Sequence, residues 1–334
     1  MVIYIEWGIK MIMGIDGGGT YTRVAITDTD SNLLSYVEYK GSATIKKDPN
    51  AIENVSIAIQ EALKKAGCAP SQIMGLTAGV ADIEPESDLE CGRKLTDIDG
   101  LNCPKQHIND SIIANVGALL FKPGIISIGG TGTKTLGITE SGQYVRNYDF
   151  NHYAPAAARM LSYDCVHKII AGETDDTDAN LITAVFKHFD VNDVSALAKL
   201  GAKGFMGNYP ANVKHFGDFA PMVTKAALCE SRIAKKICCN AAADIVTSIR
   251  LVGACFESGT IPVALIGAVV NSEFIKAKLS KSLALEDNNK NYLLVEPAVP
   301  PVLGAVIMAM QLCGIEVNER VLANLYTVEV QYGS

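Results

Sequence analysis

The chain has 334 residues, of which 49% are hydrophobic and 19% are charged, and its formal net charge is −7. A chain this long and this apolar is expected to fold into two globular domains, and intrinsic disorder is excluded. Runs of Lys or Arg never exceed two residues, and the apolar stretches are too short to cross a bilayer, so neither nucleic acid nor a membrane is expected as a partner.

The nine cysteines are odd in number, scattered, and without a C-x-x-C pair. This pattern indicates reduced thiols and a cytoplasmic protein. The first ten residues, MVIYIEWGIK, lack the cleavage site of a secretory signal. We expect Met11 or Met13 as alternative translation starts, since Met13 adjoins the first clear strand.

The first part of the chain alternates strand and helix patterns. Strands are predicted at Met11–Asp16, Tyr21–Asp28, Leu33–Tyr39, Ile73–Thr77 and Gln106–Asn109. Helices are predicted at Asn50–Gly67, Glu86–Leu95 and Ser111–Phe121.

The opening pattern of strand, glycine loop and hairpin then returns. Strands are predicted at Gly124–Ile128, Lys134–Ile138 and Gln143–Arg146, followed by a helix-rich segment over Ala154–Ser258. The last predicted elements are Ile261–Ile266, the helix Ser272–Leu285, Tyr292–Val295 and the helix Val302–Leu312. Two such loop-and-hairpin units predict two structurally related halves.

The two loops, Gly17–Thr20 and Gly129–Thr133, suit phosphate binding. Glycine allows backbone N–H groups to converge on phosphate oxygens, and a threonine hydroxyl adds a donor. Each loop is followed by strand sequence, whereas Walker and Rossmann loops lead into a helix. For either loop alone, a plain hairpin turn is the alternative.

Four segments together resemble the motifs of BadF/BadG-type ATPases and N-acetylglucosamine kinases. Met13–Thr20 (MGIDGGGT) is similar to the first phosphate motif, and Ile128–Thr133 (IGGTGT) to the second. Leu265–Val270 (LIGAVV) resembles the adenosine motif, and Val302–Ala305 (VLGA) the closing helix.

The resemblance implies a two-domain α/β fold of the actin/hexokinase type (ribonuclease H-like), with a nucleotide cleft between the domains. We expect domains at 1–118 and 119–334, with the helix 301–313 packing back on the first. It also implies ATP and Mg²⁺ as cofactors, a small amino sugar as the partner, and a homodimer.

The implied function is an ATP-dependent kinase that phosphorylates a hydroxyl, by resemblance the 6-OH, of an N-acetylated amino sugar. Asp110 would be the general base, and Asp16 would hold Mg²⁺ through water. Asp110 or Ser111 could instead cap the helix that follows, and Asp16 could cap its turn. The ATP and phosphate contacts would be Gly18, Gly19, Thr20, Gly130, Thr131, Gly132, Gly267 and Asn271. Asn271 could instead cap the next helix.

Sugar contacts are expected from Asp110, Thr133, Lys134, Asp149 and Asn151. The family's D-E-G-S sugar segment is replaced here by Pro155–Ala158 (PAAA), so Asp149 or Asn151 would have to compensate. Lys134 stands where the family tends to have asparagine. A cation there favours an acidic acceptor such as N-acetylmuramic acid, although lysines usually face solvent.

Two other functions remain open. One is a BadF-type ATPase that activates a radical 2-hydroxyacyl-CoA dehydratase or a reductase, but such proteins hold an iron–sulfur cluster on closely placed cysteines, and no such pattern occurs. The other is a nucleotide-binding regulator without catalysis.

Overall fold

A computed structural model describes residues 10–83, 89–286 and 288–326, with the backbone alone at Leu89. It separates the chain into two compact units, Met1–Lys122 with Glu296–Ser334, and Pro123–Val295. Each unit contains a five-stranded mixed sheet with helices, which confirms the predicted two-domain α/β fold.

The first sheet has the order β3-β2-β1-β4-β5. Its strands are β1 (Met11–Gly17), β2 (Thr22–Asp28), β3 (Leu33–Tyr39), β4 (Ile73–Val80) and β5 (Lys105–Asn109). β1, β2 and β3 form an antiparallel meander, and β4 and β5 run parallel to β1. The helices of this part are α1 (Ala51–Ala66), α2 (Leu89–Leu95) and α3 (Asp110–Leu119). Of the helix predicted at Glu86–Leu95, residues 86–88 lie outside the described residues.

The second unit repeats this arrangement with a larger helical layer. Its sheet has the order β10-β9-β6-β7-β8, the same order and strand directions as the first. Its elements are β6 (Gly124–Gly129), β7 (Thr133–Ile138), β8 (Tyr144–Arg146), α4 (Ala158–Ile170), α5 (Ala179–Phe189), α6 (Val194–Ala202), α7 (Tyr209–Leu228), α8 (Arg232–Gly253), β9 (Thr260–Ile266), α9 (Glu273–Leu283) and β10 (Asn291–Val295). The loop-and-hairpin repeat in the sequence therefore corresponds to a repeated sheet topology.

The end of the chain completes the first unit with α10 (Pro301–Leu312) and α11 (Glu319–Tyr326). α10 is almost entirely apolar and buried, and it crosses α3 at Gly304. A Cβ atom at Gly304 would lie 2.1 Å from the carbonyl oxygen of Ile113, and one at Gly14 would lie 2.5 Å from the carbonyl oxygen of Val302. Glycine thus lets α10 contact the backbones of both α3 and β1.

All nine cysteines are free thiols. Cys165 and Cys238 are fully buried in the core of the second unit, and burial raises the pKa of each thiol to about 12. Both therefore behave as small apolar core residues rather than as ligands or nucleophiles. No helix within the described ranges is long and apolar enough to span a bilayer.

Candidate active site

The first glycine loop lies where the wholly buried β1 ends and β2 begins. Gly18 N donates to Tyr21 O at 2.9 Å, which closes the turn, and Gly18 O accepts from Ala43 N at 3.0 Å, which fixes the loop to the segment after β3. Gly19 and Thr20 are exposed, and a Cβ atom on Gly19 would meet nothing within 4 Å. Because packing does not require glycine at residue 19, the open face of the turn fits close approach of a ligand.

Asp16, beside this loop, is held in a buried network of ionic groups. Arg23 Nη1 lies 3.3 Å from Asp16 Oδ2, and Arg23 Nε lies 2.7 Å from Glu38 Oε2, so one guanidinium bridges two carboxylates. Burial raises the pKa of Asp16 to about 6; Arg23 opposes this shift, and the charge of Asp110 adds to it. Above that pKa Asp16 is a carboxylate at the edge of the loop, and its oxygen atoms are hard donors of the kind that Mg²⁺ prefers.

Asp110 is the first residue of α3 and is half-buried. The cap of this helix is Asn109, whose Oδ1 accepts from Ser111 N at 3.2 Å and from Ser111 Oγ at 2.5 Å. Its Nδ2 donates to Ile83 O at 3.0 Å. The alternative in which Asp110 or Ser111 caps α3 is therefore wrong, and Asp110 is not needed for that task.

The ends of three strands bring Asp16 and Asp110 together. β1 and β5 both run parallel to β4, which lies between them, so their carboxyl ends share one edge of the sheet. Asp16 is paired with Gly79, and Asp110 directly follows Asn109, which pairs with Val80. This edge thus carries an open glycine turn and two interacting carboxylates.

The second loop, in the other unit, is built against the predicted adenosine motif. Gly267 has φ +102°, and a Cβ atom there would lie 2.5 Å from Gly129 O. Val269 N donates to Gly129 O at 2.9 Å, and Gly130 N donates to Gly132 O at 2.9 Å. Packing leaves open space at Gly130 and Gly132, as at Gly19.

Asn271 holds the turn between β9 and α9. Its Nδ2 donates to Leu265 O at 3.2 Å and to Gly267 O at 3.0 Å. The cap position of α9 belongs to Ser272, so the capping alternative for Asn271 is wrong. The side chain instead stabilises the backbone that packs on the second glycine loop.

Thr131, Thr133 and Lys134 continue the second loop into β7. Thr131 is exposed, and its carbonyl accepts from Arg159 Nη1 at 2.8 Å. Within the described residues, the buried Oγ1 of Thr133 has no hydrogen-bond partner. Such an orphaned hydroxyl, in a loop predicted to bind phosphate, suits a hydrogen bond to a ligand.

Of the predicted sugar residues, Asp149 lies in a short helical turn at Asn147–Phe150, and Asn151 follows it directly. Burial would raise the pKa of Asp149, but hydrogen bonds from Arg146 and the charges of Arg146 and Lys134 hold it below its usual value. Arg146 Nη2 lies 2.8 Å from Asp149 Oδ1. Asn151 ends the turn in the left-handed conformation with φ 55°. Lys134 and Asp149 are therefore electrostatic neighbours, while Asn151 shapes the backbone.

Two residues of this region were missed in the sequence. Asn147 is fully buried, accepts from Thr135 N at 2.9 Å through Oδ1 and donates to His152 O at 2.7 Å, so it ties the turn to β7. Arg159 follows directly after PAAA and contacts the second loop. The position of each residue could have indicated its role, because Asn147 directly follows a strand and Arg159 directly follows the altered segment PAAA.

The structure therefore assembles the predicted residues as two groups. Asp16, Gly18, Gly19, Thr20 and Asp110 belong to the first unit, and the remaining predicted site residues belong to the second. No cluster of three or more His, Cys, Asp or Glu side chains able to hold a metal occurs in the described part of the chain. An ion bound at Asp16 would accordingly take most of its oxygens from water and phosphate.

Comparisons with known proteins agree with this fold. An N-acetylmuramic acid/N-acetylglucosamine kinase of Clostridium acetobutylicum is 24% identical over 326 residues, which cover 91% of this chain and all of that protein. Two solved structures share the fold, each covering 90% of this chain and 99% of the other. They are proposed N-acetylglucosamine kinases of Chromobacterium violaceum (20% identity, TM-score 0.64) and Porphyromonas gingivalis (16%, TM-score 0.67).

The family model of the BadF/BadG/BcrA/BcrD ATPases matches residues 13–309. The match begins at Met13 in β1 and ends within α10, so it covers all four motifs. The chain belongs to the BadF/BadG/BcrA/BcrD ATPase family.

Proposed function

We propose that this protein is an ATP-dependent sugar kinase that transfers the γ-phosphate to the 6-OH of an N-acetylated amino sugar. N-acetylglucosamine and N-acetylmuramic acid are the candidate acceptors. The observation that carries the proposal is the shared sheet edge at which Asp16, Asp110 and the open turn of Gly18–Thr20 meet. The full-length similarity to the Clostridium acetobutylicum kinase supports the substrate class.

Each residue then has a role that its surroundings permit. Asp110 accepts the proton of the acceptor hydroxyl as that oxygen attacks the γ-phosphorus and ADP leaves. The loops Gly18–Thr20 and Gly130–Gly132 bind phosphate oxygens, and Gly267 with Asn271 borders the adenosine. Mg²⁺, held by Asp16 through water, would reduce the negative charge of the triphosphate.

Thr133, Lys134, Asp149 and Asn151 are proposed to bind the sugar. Lys134 is half-buried and its charge acts on Asp149, so it is not simply solvated. A cation placed this way favours an acceptor with a carboxylate, such as the lactyl group of N-acetylmuramic acid. Asp149 and Asn151 would replace contacts of the D-E-G-S segment.

A coupled ADP-release assay over a panel of amino sugars tests the function. We expect sugar-dependent ADP release that Asp110→Asn reduces by about 10²- to 10⁴-fold, with ATP binding retained. Asp97→Asn, which changes an exposed carboxylate in the same unit, is the matched control and should keep the activity of the parent chain. Absence of release with every sugar would reject the kinase, and an iron-containing, coloured protein would favour the dehydratase activator.

Lys134→Asn tests the acceptor in the same assay. It should reduce kcat/KM for N-acetylmuramic acid more than for N-acetylglucosamine, because only the former has a carboxylate. Equal losses for the two sugars would remove Lys134 from acceptor selection while leaving the kinase proposal intact.

A further inference from the structure

Arg159 has no acidic partner among the described residues, and its side chain is hydrogen-bonded to the second glycine loop. Its Nη1 donates to Thr131 O at 2.8 Å, and the side chain is half-buried. Across the described residues this carbonyl is its one hydrogen-bond partner, and no carboxylate pairs with it. A guanidinium has five N–H donors, so most of them remain available to a ligand.

The backbone fixes where this guanidinium can act. Ala158 N, the residue before Arg159, donates to Gly130 O at 2.8 Å, so the start of α4 is bonded to the same loop. Both anchors, Gly130 and Thr131, lie in the loop proposed to bind phosphate. A half-buried cation that is held there, with no carboxylate partner in the described ranges, retains an attraction for an anion.

A second observation at the loop points to a ligand. The hydroxyl of Thr133, two residues beyond Thr131, is buried and has no partner among the described residues. A Cβ atom added at Gly130 or Gly132 would meet no atom within 4 Å, so the loop face is not filled by protein. The open face and the guanidinium, which has no carboxylate partner among the described residues, suit a phosphate group, and the Thr133 hydroxyl marks the adjoining position proposed for the sugar.

We propose that Arg159 binds the β- or γ-phosphate of the nucleotide and stabilises the charge on the transferring phosphoryl group. This proposal rests on the proposed kinase function for its catalytic part, but its nucleotide contact can be measured without a sugar. The contact to Thr131, rather than to the Asn147–Phe150 turn, favours phosphate over a carboxylate of the acceptor as the bound anion.

Equilibrium binding of Mg²⁺–ATP, Mg²⁺–ADP and AMP to the full chain tests the assignment. Arg159→Ala should weaken ATP about 10-fold or more, since a charge-assisted hydrogen bond contributes about 1.5–3 kcal/mol and 1.4 kcal/mol corresponds to a tenfold change. AMP, which lacks both distal phosphates, should bind as before. Arg159→Gln keeps a donor for Thr131 O but removes the charge, and it should behave like Arg159→Ala.

Arg320→Ala is the matched control, because Arg320 is 75% exposed and lies on α11. Unfolding curves check that each variant is folded. Unchanged ATP affinity in Arg159→Gln, or equal weakening of ATP, ADP and AMP, would overturn the proposal. If the sugar panel is negative, the nucleotide result still decides the role of Arg159 in binding.

Discussion

At the scale of single residues, the chain places titratable groups in positions where burial sets their protonation. His107 on β5 is 8% exposed, and its Nε2 lies 2.8 Å from Thr96 Oγ1. Burial lowers the pKa of His107 to about 4, and the charges of Lys105 and Arg93 add to the shift. His107 is three residues from Asp110, so its charge state bears on the strand that positions the proposed base.

The lowered pKa of His107 predicts that the protein loses stability in acid. Between pH 6.5 and about 4 the unfolded chain binds a proton that folded His107 excludes. The contribution of neutral His107 to the free energy of unfolding is therefore complete above pH 6.5 and is lost as the pH falls. Between pH 7.5 and 5.0 the free energy of unfolding should fall by about 2 kcal/mol from this residue. Urea unfolding at both pH values measures it.

His107→Gln should remove that part of the pH dependence while keeping a polar partner for Thr96. His167→Gln, at an exposed histidine on α4, should leave the dependence as in the parent chain. If the two variants show the same difference between pH 7.5 and 5.0, His107 is not the responsible group.

The sequence predicted those local structures for which the backbone needs a particular residue type, such as glycine in a tight loop. The two glycine loops and their hairpins were recognisable because glycine runs and alternating strands are local signals. The alternative in which Asp110 or Ser111 caps α3 is wrong because Asn109 is the cap; all three side chains can cap a helix, and only the path of the chain decides. The roles of Asp110, Asp16 and the sugar contacts stay predictions.

At the scale of elements, strand pairing and helix packing determine the end of β4, which local sequence patterns did not predict. The sequence predicted that β4 ends at Thr77, but the strand continues to Val80. Ala78 and Gly79 are poor strand formers, so the sequence gives no local signal for this continuation. Parallel pairing on both sides, Ile15 with Ala78 and Gly79 with Ile108, holds the strand extended. A Cβ atom at Gly79 would lie 2.4 Å from Ile113 Cδ1, so a larger residue here would displace the Ile113 side chain of α3.

The contact between α3 and α10 makes Gly304 a sensitive position. Gly304→Ala puts a methyl group against the backbone of α3 at Ile113 and Gly117, where no side chain can move aside. We expect a loss of about 1–3 kcal/mol in the free energy of unfolding, together with lower activity because α3 begins at Asp110. Urea denaturation and the ADP-release assay measure the two effects.

Gly217→Ala on α7 is the control for helix propensity. No atom lies within 4 Å of a Cβ position at Gly217, so this variant should be more stable by about 0.5–1 kcal/mol. A Gly304→Ala protein as stable as the parent chain would mean that α3 and α10 separate at little cost.

At the scale of the whole molecule, the second unit is an insertion within the first. Residues 123–295 form one continuous stretch, whereas the first unit needs both the segment before it and the segment after it. Ala298 N donates to Ala118 O at 3.1 Å and Val299 N to Gly117 O at 2.8 Å, so the returning chain is bonded to α3 close to the point of departure. The sheet order and the strand pairing were not part of the sequence prediction, because both depend on contacts between segments that are distant in sequence.

This arrangement predicts how the chain can be divided. A fragment of residues 123–295 should fold alone, since its sheet, helices and core are contiguous in sequence. Residues 1–122 alone should not, because the apolar face formed by Ile12, Ala25 and Val116 is covered by Val302, Val306 and other residues of α10. Joining residue 122 to residue 296 through a short Gly/Ser linker should restore a cooperative unfolding transition. Circular dichroism and urea unfolding of the three proteins test these predictions. A cooperative transition in residues 1–122 would show that α10 is dispensable to the first unit. An unfolded 123–295 fragment would show that the second unit depends on the first.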